Sequence, residues 1–205
     1  MKVMIDVNIE QLDQMLQNVL KKMRSMKVDD NSLPAVLGIS ADTLETYLTG
    51  ISPKIRIKNL YKIIMLNRIF DNMNDEGLLK YISWKLEYET NTKALKQNYF
   101  ESFPNTLEAN RSEELLQHLM AKKRKLFETN AELQRKIEIA ETPLKFTISQ
   151  YETARVKVSE YSSSELSNRL DVSRVTAGKL VKSIKEEPND SSLTLSRISS
   201  INERL

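Results

Sequence analysis

Four cations, Arg174, Lys179, Lys182 and Lys185, fall within the stretch S173-R-V-T-A-G-K-L-V-K-S-I-K185, which holds no acidic residue. Between them Ala177, Leu180, Val181 and Ile184 recur at spacings of three and four, the period of a helix with one buried face. The cations then share the opposite face with Val175 and Gly178. The chemistry open to such a face is electrostatic: it attracts a polyanion and neutralises phosphates. Whole-chain charge is a weaker guide, because 31 Lys and Arg stand against 28 Asp and Glu, a formal net charge of +3. Where the cations stand matters more than their sum.

Residues suited to bond-making chemistry are scarce. There is no cysteine, which excludes disulfides, thiolate nucleophiles and Cys-ligated zinc and fits a reducing compartment. The single histidine, His118, lies in a long charged segment and reads as a surface residue. Neither G-x-x-x-x-G-K-[ST] nor G-x-G-x-x-G occurs, and the pairs E113-E and E186-E read as solvated faces. The expectation is a protein that is not an enzyme and takes no cofactor and no metal.

The elements that must position the basic stretch are expected to be helices. Of the 205 residues 40% are hydrophobic and 29% charged, and only four glycines and five prolines punctuate them, so the fold class is mostly α. No apolar run is long enough for a membrane span and M1-K-V-M-I-D lacks a signal-peptide core, so a cytoplasmic protein without a membrane partner is expected. Ile9, Leu12, Leu16, Val19, Leu20 and Met23 predict an amphipathic helix between Asn8 and Val28. D29-D-N-S-L-P supplies a cap and a first-turn proline, and short helices follow over 33–37, 43–48 and 57–73. The segment 77–100 closes this helical start and carries the only tryptophan, Trp84, expected to pack on the N-terminal bundle. F103-P-N-T breaks the pattern. The division read from these signals is an N-terminal helix-turn-helix domain over 1–102, a connecting helix over 111–141, a C-terminal domain over 144–199 and a tail over 200–205.

The connecting segment has a short heptad register. Leu119, Leu126, Leu133 and Ala140 are seven apart, with Leu116, Lys123, Asn130 and Ile137 on the partner rung. A polar Asn at such a seam fixes register at a cost in stability. Leu116, Leu119, Leu126, Asn130, Leu133 and Ile137 are therefore the expected dimerisation seam of a homodimer, the alternative being a helix packed on its own chain.

Two segments 133 residues apart align without a gap: L33-P-A-V-L-G-I-S-A-D-T-L-E-T-Y-L48 and L166-S-N-R-L-D-V-S-R-V-T-A-G-K-L-V181. Leu33 matches Leu166, Leu37 matches Leu170, Ser40 matches Ser173 and Thr43 matches Thr176. In each, leucines four apart mark one face of a short first helix, an aliphatic residue anchors a turn, and a serine caps a second helix. Both segments resemble the helix-turn-helix of bacterial and phage DNA-binding regulators. The second segment has Asp171 where that family usually has a glycine in a positive-φ turn, and aspartate is among the less costly replacements.

The resemblance implies that the second helix enters the major groove with its N-terminal residues at the base edges. Arg174 and Val175 would then reach bases, a guanine and a thymine methyl, with Thr176 beside them, while Ser173, Lys179 and Lys182 contact phosphates. In the first copy the corresponding face carries Asp42 and Glu45, which repel phosphate, and Thr43 and Thr46 are the polar groups it offers. Its cations follow, as Lys54, Arg56, Lys58 and Lys62, at the loop and the start of the next helix, placed to clamp a backbone beside the groove. Gly178 stands opposite Glu45, on the outward face, where the absence of a side chain would let the helix approach DNA closely. The end of the chain, E186-E-P-N-D-S-S-L-T-L-S-R-I-S-S, reads as a wing strand or an end without structure beyond Ser199.

The function these readings imply is sequence-specific binding of double-stranded DNA by a transcriptional regulator, a repressor of a phage or plasmid, associated with the nucleoid when bound. The alternatives are an accessory protein of plasmid partition, replication or transfer, and an interaction module that does not touch DNA.

Overall fold

In the computed structural model the described residues are 3–102, 113–188 and 191–205, with the side chains of 98–102 and 113–116 outside the description. The interruption at 103–110 and the seam side chain Leu116 therefore lie outside the described residues. The fold is mostly α: ten α-helices and one two-stranded parallel sheet among the described residues.

Apolar spacing explains the first half. Strand β1, Val3–Ile5, leads into α1, Ile9–Ser25, whose N-cap Asn8 accepts from the Glu10 amide and whose buried stripe is Leu12, Leu16, Val19, Leu20 and Met23. Helices α2, Leu33–Leu37, and α3, Ala41–Leu48, follow, and Pro34 sits in the first turn of α2, where its missing N–H is not needed. Helix α4, Ile57–Asn72, is buried nearly all round, including Ile57, Leu60, Ile63, Ile64 and Ile69. It packs along α1, and Asn59 donates to the Tyr47 hydroxyl of α3 at 2.8 Å.

The second half repeats this order. Strand β2, Phe146–Ile148, leads into α7, Ser149–Ser159, then α8, Ser163–Arg169, α9, Arg174–Lys185, and α10, Leu195–Arg204. As α4 packs on α1 in the first half, α10 packs on α7 in the second, and α7 supports α9 as α1 supports α3. The internal repeat thus extends beyond the two helix-turn-helix segments to a strand before them and a helix after them.

These halves belong together. Met1–Asn72 and Leu144–Leu205 form one compact unit and Met73–Pro143 a second. The division expected from the sequence, with the two helix-turn-helix segments in separate domains over 1–102 and 144–199, is corrected accordingly. The physical cause is that β1 pairs in parallel with β2, Val3 opposite Phe146 and Ile5 opposite Ile148. Around that pairing Gln150 exchanges two hydrogen bonds with the Val7 backbone, Arg68 donates to the Leu144 carbonyl at 2.9 Å, and Tyr61 stacks on Phe146.

Two further expectations change at the end of the chain. Among the described residues after α9 there is no wing strand, only an isolated bridge between Thr194 and Arg56. The tail expected over 200–205 is the last turn of α10, held because Leu195, Ile198 and Ile201 are buried at helical spacing and Thr194 caps its start.

The second unit is a pair of helices, α5, Asp75–Ser102, and α6, Glu113–Glu141, which pack on one another. Trp84, expected on the N-terminal bundle, belongs to this unit and is half-buried. The heptad seam of α6 also finds its partner within the chain. Asn130, Leu133 and Ile137 are buried, and Asn130 donates to the Thr92 hydroxyl of α5 at 3.2 Å. At these three positions the seam expected to pair two chains is occupied by α5, which leaves half-buried Leu119 and Leu126 as its more accessible rungs. Tyr81 donates to Glu141 at 2.7 Å, and burial first, then this carboxylate, pushes its phenol pKa up.

Candidate nucleic-acid interface

The two turns close in the same way. Gly38 and Asp171, aligned in the repeat, both adopt the left-handed conformation, with φ of 63° and 51°. The amide of Ile39 donates to the Pro34 carbonyl and that of Val172 to Ser167, the aligned pair, each at 3.0 Å. Ser40 and Ser173 then cap α3 and α9, accepting from the amides of Thr43 and Thr176. The aligned hydrophobic positions are buried in both copies, Leu33 with Leu166 and Leu37 with Leu170.

Helix α9 is fixed from beneath and at both ends. Ala177, Leu180 and Ile184 are its buried residues, while Val181, assigned to the same stripe, is half-buried. Under it, wholly buried Tyr151 of α7 directs its hydroxyl at the carbonyls where α9 ends, the nearest being Glu186 at 2.8 Å. Burial is the main cause of the raised pKa of this phenol, so it acts as a donor. Arg204 of α10 donates to the Leu170 carbonyl at the end of α8, and α8 itself starts on a capping box between Ser162 and Glu165. The Ser162 hydrogen bonds hold the Glu165 carboxyl below its ordinary pKa.

This support leaves the opposite face open. Arg174, Val175, Thr176, Gly178, Lys179, Lys182 and Lys185 are all exposed, and Val175 is 69% accessible, unusual for a valine. Ser173 is exposed too, and its hydroxyl meets that of Thr176 at 2.9 Å. One of the two O–H groups serves this contact, so the other is free to reach an outside acceptor. Arg174, Lys179, Lys182 and Lys185 form no ion pair among the described residues. Their charges are therefore available to an external anion.

A Cβ on Gly178 would meet nothing within 4 Å, so internal packing does not require glycine there. Gly178→Ala is expected to raise stability by about 0.5–1 kcal/mol in thermal denaturation, the helix-interior difference between the two residues. If the bare backbone serves close approach, the same variant binds duplex DNA more weakly. Unchanged affinity would reduce Gly178 to a tolerated residue.

The first-copy residues are arranged differently. Asp42, Glu45 and Thr46 are exposed on α3 and Thr43 is half-buried. The Thr46 hydroxyl donates to the Asp42 carbonyl at 2.9 Å and so has no hydrogen left to give, while the Thr43 hydroxyl pairs with that of Ser40 at 2.7 Å, as Thr176 does with Ser173. The cationic loop after α3, by contrast, is drawn toward α9. Ser196 donates to the Pro53 carbonyl, Leu195 to Ile55, Ile57 to Leu193 and Lys58 to Ser191. Ser191 in turn donates from its hydroxyl to the Ser183 carbonyl of α9. Exposed Lys54 and Arg56 on this loop, and half-buried Lys58 in the first turn of α4, therefore stand where the backbone is knitted to the segment that leaves α9.

The knitting at Pro53–Lys58 is what sequence reading missed. Its signal was faint: the apolar residues Leu193, Leu195 and Ile198 mark a segment that needs a partner without saying which. Among the described residues no cluster of His, Asp and Glu is arranged to hold a metal, and no helix is long and apolar enough to cross a membrane. The chain matches no protein-family model, no curated protein and no solved structure.

Proposed function

We propose that the protein binds double-stranded DNA through α9 and regulates transcription there, as a repressor on a phage or plasmid. The observation that carries this reading is the open, acid-free face of α9 on a capped helix-turn-helix. Arg174 and Val175 stand at its N-terminal end, where a helix entering the major groove presents its base-reading side chains. Lys179 and Lys182 lie one and two turns further on, spaced to follow a phosphate backbone, and Lys54, Arg56 and Lys58 extend the cationic surface past the end of α9. No cofactor enters the reading. A homodimer would have to pair through surfaces other than the three seam positions that α5 occupies.

The test is a binding titration of the intact chain on random-sequence and enriched duplexes over a range of salt. The logarithm of affinity is expected to fall linearly with the logarithm of salt, by about 0.9 for each phosphate neutralised. Binding that ignores salt, or no binding to duplex, overturns the proposal.

A further inference from the structure

We infer that one chain reads DNA through α9 alone, so that its binding site has no two-fold symmetry even though the chain carries two helix-turn-helix units. The inference rests on the DNA-binding reading above. It comes from comparing the two copies at positions that the repeat makes equivalent.

The backbones agree at the turn, the cap and the supporting helices, so a difference in outward side chains is a difference in what each helix can touch. Ala41 stands where α9 has Arg174, and Asp42 where it has Val175. Glu45 replaces Gly178, Thr46 replaces Lys179 and Thr49 replaces Lys182. Over these five positions α9 carries three cations and α3 two carboxylates.

All five are exposed on α3 and its C-cap Thr49, so its carboxylates would face the DNA with no neutralising ion pair among the described residues. Nor do the hydroxyls compensate. Thr46 donates to Asp42 and Thr49 donates to the Thr46 carbonyl at 2.8 Å, which leaves both without a hydrogen to give a phosphate. Glu45 also puts a charged side chain where Gly178 leaves bare backbone. Unlike charge at equivalent positions is a device of exclusion: it keeps the wrong helix out of the groove as effectively as the cations draw the right one in.

A symmetric operator is the signature of two equivalent readers, because the half-sites mirror the protein's own symmetry. Here the two readers are unlike. The scaffold that could have made one chain a pseudo-dimer on DNA instead holds a single reader, with Lys54 and Arg56, and Lys58 at the start of α4, as its flank.

The experiment is selection of duplexes from a random pool by the intact chain, followed by measurement of the number of chains bound to one enriched site. The expected result is a motif without inverted or direct repetition, bound by one chain. Asp42→Ala with Glu45→Ala should leave the motif unchanged, while Arg174→Ala should relax preference at one base pair by about tenfold or more. A palindrome, a direct repeat, or a motif altered by the α3 substitutions overturns the inference and leaves DNA binding standing. Failure to enrich any sequence, with binding indifferent to salt, overturns the DNA reading and the inference with it.

Discussion

Replacing Arg174 and Lys179 together with alanine is expected to lower affinity for an enriched duplex by about tenfold to a thousandfold at moderate salt, the combined loss of a base contact and a phosphate contact. The two single variants should differ in kind. Arg174→Ala relaxes specificity at one base pair, whereas Lys179→Ala weakens all duplexes alike and makes the salt slope shallower by about one. Both side chains are exposed and without an ion pair among the described residues, so unfolding midpoints should move little, within about 0.5 kcal/mol. Affinity and specificity that survive the double substitution would remove α9 from the interface.

The second large effect is on the scaffold. Tyr151 is wholly buried under α9 and its hydroxyl meets the carbonyls at that helix's end. Tyr151→Ala is expected to cost about 3–5 kcal/mol in urea denaturation, the range for emptying a large aromatic site. Tyr151→Phe keeps the ring and loses only the donor, so its expected cost is about 0.5–1.5 kcal/mol. A phenylalanine variant as unstable as the alanine one would show that the hydroxyl, and not the ring, secures the helix. Because the bond closes the end of α9, the phenylalanine variant should also expose amides there to faster hydrogen exchange.

What the sequence disclosed follows from the range of each interaction. The helices α1, α4 and α9 were legible because their buried positions repeat within a few residues, as Leu12, Leu16 and Val19 do in α1. Aligned leucines and capping serines disclosed the helix-turn-helix pair, and Asp171 in the left-handed turn fits the residue the alignment put opposite Gly38. The strands were illegible: each is three residues long, too short for an alternating pattern, and each has its partner in the other half of the chain. Helix α7 could have been found, since Tyr151, Ala154 and Val158 share a face, but charged and hydroxyl residues dilute the stripe. The α6 seam shows the limit of periodicity, which reports that Asn130, Leu133 and Ile137 face a helix and not whose helix it is. The face of α9 was legible as charge and helical phase. The loop beside it was not, because backbone hydrogen bonds from residues 53–58 to 191–196 leave almost no mark on side-chain type.

The pairing of β1 with β2 has a consequence for synthesis. When residues 3–72 have left the ribosome, β1 has no strand to pair with, and the edge formed by Val3 to Ile5 stays unsatisfied while the whole of α5 and α6 is made. Only after Phe146–Ile148 and the segment through Ser196 emerge can the first half close its sheet and tie down the Pro53–Lys58 stretch. Contacts this distant in sequence form late and slowly, and an unpaired strand edge is an invitation to other chains meanwhile. A helical pair that folds from local contacts in the interval brings the two ends of the interrupted unit nearer without their having to search as a free coil. A nascent chain stopped before residue 146 should therefore be cut by protease at Val3–Ile5 and around Pro53–Arg56, and one extended through residue 205 should resist there.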